Sequence, residues 1–153
     1  MLLIFCVSGC QADNPDAINT LRSMESTMKQ LQPPSITLEN NDYVIETKIG
    51  DYSWSKIDKK TGDITKSFSR DIDTPPGLVS IEEGTPFNLS QSITVKFKKE
   101  PNSYNINLWD NEENVGTYES FTDIKERGPY IIEIVGFWDE GEVTYVAAIN
   151  IQD

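Results

Sequence analysis

The sequence predicts an all-β fold, an antiparallel β-sandwich, on three observations. From Ser35 onward, apolar and polar residues alternate in short runs, the pattern of strands with one buried face. Clusters of Gly, Pro, Asn and Asp divide these runs at the spacing of turns. No stretch after Pro34 has helical periodicity of useful length, so the crossover helices of a parallel sheet have no candidates. Two segments of different character precede this body. The expected divisions are therefore 1–9, 10–34 and 35–153.

The first division reads as the remnant of a signal peptide. Residues 2–7, LLIFCV, are apolar but too few to span a bilayer, which needs about 20. They fit the end of a signal peptide's apolar core. The next residues, Val7-Ser8-Gly9-Cys10, resemble a bacterial lipobox. Small residues let the chain lie extended in a peptidase. The Cys10 sulfur then takes a diacylglyceryl group, with palmitate-like chains, through a thioether. By this resemblance Cys10 becomes the first mature residue, and Cys6 leaves with the signal. Two acyl chains anchor stably where one binds only marginally. The expected location is extracytoplasmic, lipid-anchored to the bacterial cell membrane. A signal peptide opens with positive charge and a longer apolar run, yet no Lys or Arg precedes Arg22. The translation start is therefore expected upstream. The competing reading is a buried N-terminal strand carrying two cysteines by chance.

Residues 10–34 read as a tether holding one helix. Asn14 can cap it, with Pro15 at its first position. Ile18, Leu21, Met24, Met28 and Leu31 follow at helical spacing, and Pro33-Pro34 ends the segment. The apolar stripe has four readings: docking on the domain, contact with the membrane, contact with a partner, or a plain spacer.

The strands follow in order. ITLEN opens with Ile36 and Leu38 on one face. Tyr43, Ile45, Thr47 and Ile49 share a face in the next run. YSWSKI and ITKSFS flank DKKTG at 58–62, where Gly62 suits the left-handed position of a bulged hairpin turn. Ile64 and Phe68 recur on one face. DTPPGL, 73–78, reads as a loop. In SITVKFKK, Ile93, Val95 and Phe97 oppose Thr94, Lys96 and Lys98. In SYNINLW, Tyr104, Ile106 and Leu108 oppose Asn105, Asn107 and Trp109. DNEENVG reads as a loop. GPYIIEIVGFW and VTYVAAINI are strands joined by DEGE, a tight turn with Gly141. Val143, Tyr145, Ala147, Ile149 and Ile151 line one face of the last strand.

Gly128-Pro129-Tyr130 stands just before the penultimate strand, where immunoglobulin-like folds place a tyrosine whose hydroxyl bonds nearby backbone. The expectation is therefore an immunoglobulin-like sandwich, held by packing alone because the cysteine pair of true immunoglobulin domains is missing. Trp54, Trp109 and Trp138 are its expected core or rim. A solvent-facing Trp cluster would instead suggest contact with carbohydrate or peptide.

Three segments also carry a family resemblance. GDYSW at 50–54, PPGLVS at 75–80 and the stretch from Gly128 to Ile151 resemble small uncharacterised lipoproteins of Bacillus-like low-GC Gram-positive bacteria. In the last stretch the matching motifs are G-x-Y at 128–130 and W-x-x-G-x-x-x-Y from Trp138 to Tyr145. The resemblance covers roughly residues 35–153 and the lipobox, and its motifs are structural. It implies an exported, lipid-anchored β-domain. It brings no catalytic residues and no cofactor.

Composition narrows the chemistry. The chain of 153 residues is 37% hydrophobic and 10% aromatic, enough for one packed core. With 25 Asp and Glu against 13 Lys and Arg, its net charge is −12, which repels nucleic-acid phosphate. The acidity reads first as solubility and second as attraction for cations or a basic partner. There is no histidine, so Ser-His-Asp and Cys-His catalysis cannot be built. The two cysteines, Cys6 and Cys10, leave the body without a disulfide or thiolate metal site.

Acidic clusters are the remaining candidates. Asp71 and Asp73 could share one face of an extended strand, while 110–114 and 139–142 are loop clusters. Loops supply calcium's oxygen ligands well, but an EF-hand starting at Asp110 fails. Val115 stands where Gly is required and Phe121 where Glu is required. Paired carboxylates could cleave a glycoside only at defined separation with one raised pKa. Asn88-Leu89-Ser90 matches a glycosylation acceptor, which has little meaning in a bacterial protein.

The leading expectation is a non-enzymatic binding or interaction module, with Cys10 as its one modified residue and no metal site. Its partners would be the membrane, through the lipid, and an envelope or extracellular protein or glycan. Edge strands or the loops 73–78, 110–116 and 139–142 would make the contact. The alternatives are a carboxylate-dependent hydrolase of cell-wall glycan and a calcium-stabilised adhesion module.

Overall fold

The computed structural model describes residues 15–88 and 90–152, excluding the side chains of Pro15 and of residues 27–30. The expected lipobox, with Cys6 and Cys10, lies outside them. The described residues fall into two units, divided between Gln32 and Pro33.

The first unit contains helix α1, Pro15–Gln30. Proline suits its first position because that N–H would have no helical partner. Asp16 lies in the first turn, where negative charge favours the helix dipole. The Thr20 hydroxyl donates to the Asp16 carbonyl at 2.8 Å. Ile18, Leu21 and Met24, the start of the apolar stripe, are exposed.

The second unit is built from two sheets and is predominantly antiparallel. Strands β1 (Ile36–Glu39), β2 (Val44–Glu46) and β6 (Thr94–Phe97) form the smaller sheet in the order β2-β1-β6. The larger contains β3 (Lys48–Ile57), β4 (Ile64–Arg70), β5 (Thr85–Asn88), β7 (Ser103–Trp109), β8 (Asn114–Tyr118), β9 (Gly128–Trp138) and β10 (Gly141–Gln152). Its order is β4-β3-β10-β9-β7-β8, and β5 runs parallel to the end of β10.

One core draws on both sheets. Ile36, Leu38 and Ile45 come from the smaller sheet. Ile106, Leu108, Ile132, Ile134, Val143, Tyr145, Ala147, Ile149 and Ile151 come from the larger. Each large aliphatic side chain buried there contributes about 1.5–3 kcal/mol relative to exposure. The inward row of β10 is the one its alternation predicts. Trp54 and Trp138 join this core edge to face, with ring centroids 5.4 Å apart.

Three expectations need correction, and one strand, β5, is not among those expected. The run from Tyr43 to Ile49 is not one strand face. The chain changes sheets between β2 and β3, and at this corner the Thr47 hydroxyl donates to the Ile36 carbonyl at 2.9 Å. Tyr43 lies outside β2 and is exposed. The expected loop 110–116 is shorter, because Asn114, Val115 and Gly116 already belong to β8. Residues 85–88 form β5, which Pro86 conceals. Proline is tolerated there because β5 bonds a neighbour on one side only.

The expected loop 73–78 contains a one-turn helix, α2 (Pro75–Leu78), with proline again at its start. A 3-10 turn, Ile81–Glu83, follows. The two pack against β9, and α2 also reaches β3 while the 3-10 turn reaches β10. Ile131 and Val146 belong to β9 and β10 but not to the central core, and both are fully buried. Val146 lies between Tyr145 and Ala147, which face that core, so it points to the opposite side of the sheet. The segment 75–83 therefore acts as a cover on the outer face.

Candidate functional site

In the acidic clusters singled out in the sequence, Asp73 and Asp110 bond their own turns, while Asp139 and Glu140 bond residues of a neighbouring segment. Asp73 accepts the Thr74 N–H at 2.9 Å, and its carboxyl fills the space beside Gly77. Asp71 lines a shallow hollow of about 270 Å³ with Asp51, Arg70 and Glu142. Asp110 accepts the N–H groups of Glu112 and Glu113 at 2.7 and 2.8 Å. Those bonds, the one from Glu113 foremost, hold its carboxyl below the ordinary value. Asp139 accepts from the Asn102 side-chain amide at 2.8 Å. Glu140 pairs with Lys99, whose ammonium lies 5.6 Å from the centroid of the Trp54 ring. Among the described residues, no group of three or more Asp, Glu, Cys or His could hold one metal ion.

Sequence reasoning missed Glu133. It stands opposite Asn107 across β9 and β7. One carboxylate oxygen accepts from the Asn107 amide and from the Trp109 indole N–H, both at 2.8 Å. The Asn107 side-chain oxygen Oδ1 in turn accepts from the Thr117 hydroxyl at 2.8 Å. This ladder holds Trp109 on the outer face, away from the pair formed by Trp54 and Trp138. Its only trace in the sequence is a lone acid amid the apolar residues of GPYIIEIVGFW.

Tyr130, the expected corner tyrosine, packs half-buried against the core. Its neighbour Tyr118 donates its hydroxyl to Glu126 at 2.6 Å. Burial first, and then that bond to a carboxylate, pushes the Tyr118 phenol up to about 12. The same bond is the main cause that holds the Glu126 carboxyl below its usual range.

One exposed surface that is both apolar and basic lies on the hairpin of β3 and β4. Trp54 faces Phe68, Ser55 faces Ser67, and Lys56 faces Lys66. The turn closes on itself. The Gly62 N–H donates to the Asp58 carbonyl at 2.7 Å, and the Asp58 N–H to the Asp63 carbonyl at 2.9 Å. The Asp58 carboxylate accepts the Lys60 N–H at 2.8 Å. Gly62 takes φ +79°, the left-handed position expected of it. Beyond this turn every residue of β4 is exposed. Ile64 is 67% exposed and Phe68 46%, whereas Trp54 opposite is only 6%. Cover over the inner face therefore ends between β3 and β4. Among the described residues β4 pairs with β3 alone, leaving its other edge open.

Charge gathers at the same place. Residues 56–66 hold Lys56, Lys59, Lys60 and Lys66 against Asp58 and Asp63, in a chain whose net charge is −12. All four lysines are exposed. The hairpin tip is thus locally positive and partly apolar. Compared with known families, curated proteins and solved structures, the chain matches none.

Proposed function

We propose that this chain is an extracytoplasmic lipoprotein, anchored to the bacterial membrane through Cys10, whose β-body is a non-enzymatic binding module. The observation that carries the binding role is β4, an edge strand exposed along its length that presents Ile64 and Phe68. Exposed large apolar side chains grouped on one edge mark interaction surfaces. The contact is therefore assigned to the β3–β4 hairpin. In the acidic loops Asp110 is occupied with its own turn and Asp139 and Glu140 with Asn102 and Lys99, while 75–83 covers the sheet. The neighbour order β10-β9-β7-β8 supports an immunoglobulin-like body, because it follows the G-F-C-C′ order of variable-type domains. The added β3 and β4 beyond β10 would be this chain's own extension of that plan.

Fractionation of cells tests the anchor. The full-length chain should sediment with membranes and carry a diacylglyceryl mass on Cys10, and Cys10→Ala should be released. Equal membrane retention by the alanine form, with an unmodified sulfur in the parent, overturns the anchor. A photo-crosslinking residue at position 64 tests the contact. It should give a product in intact cells where one at position 112 gives none.

A further inference from the structure

We infer that the tip of the β3–β4 hairpin docks on an anionic phospholipid surface; this names the partner of the contact proposed above and rests on that reading. Three features meet at the tip. The first is sign, since four lysines stand against two aspartates in residues 56–66 while the whole chain is strongly acidic. The second is apolar exposure, with Ile64 beside the turn the most exposed of the large hydrophobic side chains described. The third is form, because the tip is a closed turn fixed by its own backbone bonds, and every residue of the adjoining strand is exposed.

A lipid headgroup layer rewards this combination. Lysines gain from the negative surface potential, and an apolar side chain gains by entering the boundary of the acyl chains. The acidic remainder of the chain would be repelled on balance, and of the exposed basic runs the tip alone carries Ile64, which favours approach tip first. Screening at physiological salt acts over about 8 Å, so acids set back from the tip oppose the contact little. An added strand from an acidic polypeptide is the weaker fit. Lys66 sits in the middle of the open β4 edge, and a lysine there is a device that discourages strand pairing.

The test uses the full chain carrying Cys10→Ala, so that no lipid anchor contributes. It is mixed with vesicles of phosphatidylglycerol or of phosphatidylcholine and sedimented. Binding is expected to phosphatidylglycerol alone, and to weaken as salt rises. Each lysine charge near such a surface is worth about fivefold in binding. Lys59→Glu with Lys60→Glu should therefore weaken it by at least about 25-fold. Ile64→Ser should weaken it at every salt concentration. Both positions are exposed, and an unchanged melting temperature confirms that the variants fold. Failure to sediment with phosphatidylglycerol, or sedimentation indifferent to these substitutions, overturns the inference. Retention on immobilised poly-glutamate without vesicle binding also overturns it, while the binding-module reading stands. Failure of that reading would instead show in cells, as equal crosslinking from positions 64 and 112.

Discussion

Tyr145, in the middle of β10, donates its hydroxyl to the carbonyl oxygen of Pro34, 111 positions earlier in the chain. The ring lies in the core, edge-on to Trp138 at 6.4 Å between centroids. Its polar end thus ties the entry of the β-unit to the central strand. Burial raises the phenol's pKa above its ordinary 10.

Tyr145→Phe keeps the packing and removes the donor. The expected loss is about 1 kcal/mol, seen in urea as a lower midpoint with an unchanged slope. A raised folded-state pKa gives stability that is complete below pH 10 and is lost as pH climbs through the folded value. The parent should therefore weaken in alkali more steeply than Tyr145→Phe. Tyr118, at about 12, sustains part of the slope in both.

Gly141 follows the two-residue turn between β9 and β10. Its φ is +148°, and a Cβ there would meet the Ser53 carbonyl oxygen at 1.8 Å. Gly141→Ala should cost at least about 1–3 kcal/mol, since the strand must shift as well as adopt a strained dihedral. Gly128 also has positive φ, +113°, but open space around its Cβ position. Gly128→Ala should cost less. Parallel thermal melts decide it, and equal losses would count against the contact with Ser53.

The bond between Tyr118 and Glu126 carries an acid-side prediction. The hydroxyl holds the Glu126 carboxyl below its ordinary 4.5. A lowered folded-state pKa gives stability that is complete above 4.5 and is lost as pH falls through the folded value. Glu126→Gln should therefore melt lower than the parent near neutrality, with the gap narrowing in acid. A gap independent of pH would show that the carboxylate charge plays no part.

The sequence discloses most where one strand has one buried face. The row Val143 to Ile151 was legible because every second residue of that strand is apolar, with Thr144 and Asn150 on the other side. The corner at Thr47 was hidden for the same reason, since the alternation from Ile45 to Ile49 keeps its parity while the chain changes sheets. Strand β5 buries only Phe87 and contains Pro86, too little pattern to read. For the candidate site, Gly62 marked the turn and the lysines were in plain view. Exposure was not, because Ile64 and Phe68 alternate just as buried residues would. Only the arrangement of the sheets reveals that cover stops at Trp54.

Strand β10 touches β9 along nearly its whole length, β3 near its start and β5 near its end. Its pairing with β3 joins residues 87 to 98 positions apart and its pairing with β5 residues 64 apart, and distant contacts slow folding because long loops must close first. In a nascent chain that has not yet delivered residues 141–152, the larger sheet is split into β4-β3 and β9-β7-β8, and β5 has no strand to pair with. Maturation of this body is therefore governed by its closing segment. Substitutions there should delay assembly itself, leaving half-built intermediates exposed to proteases.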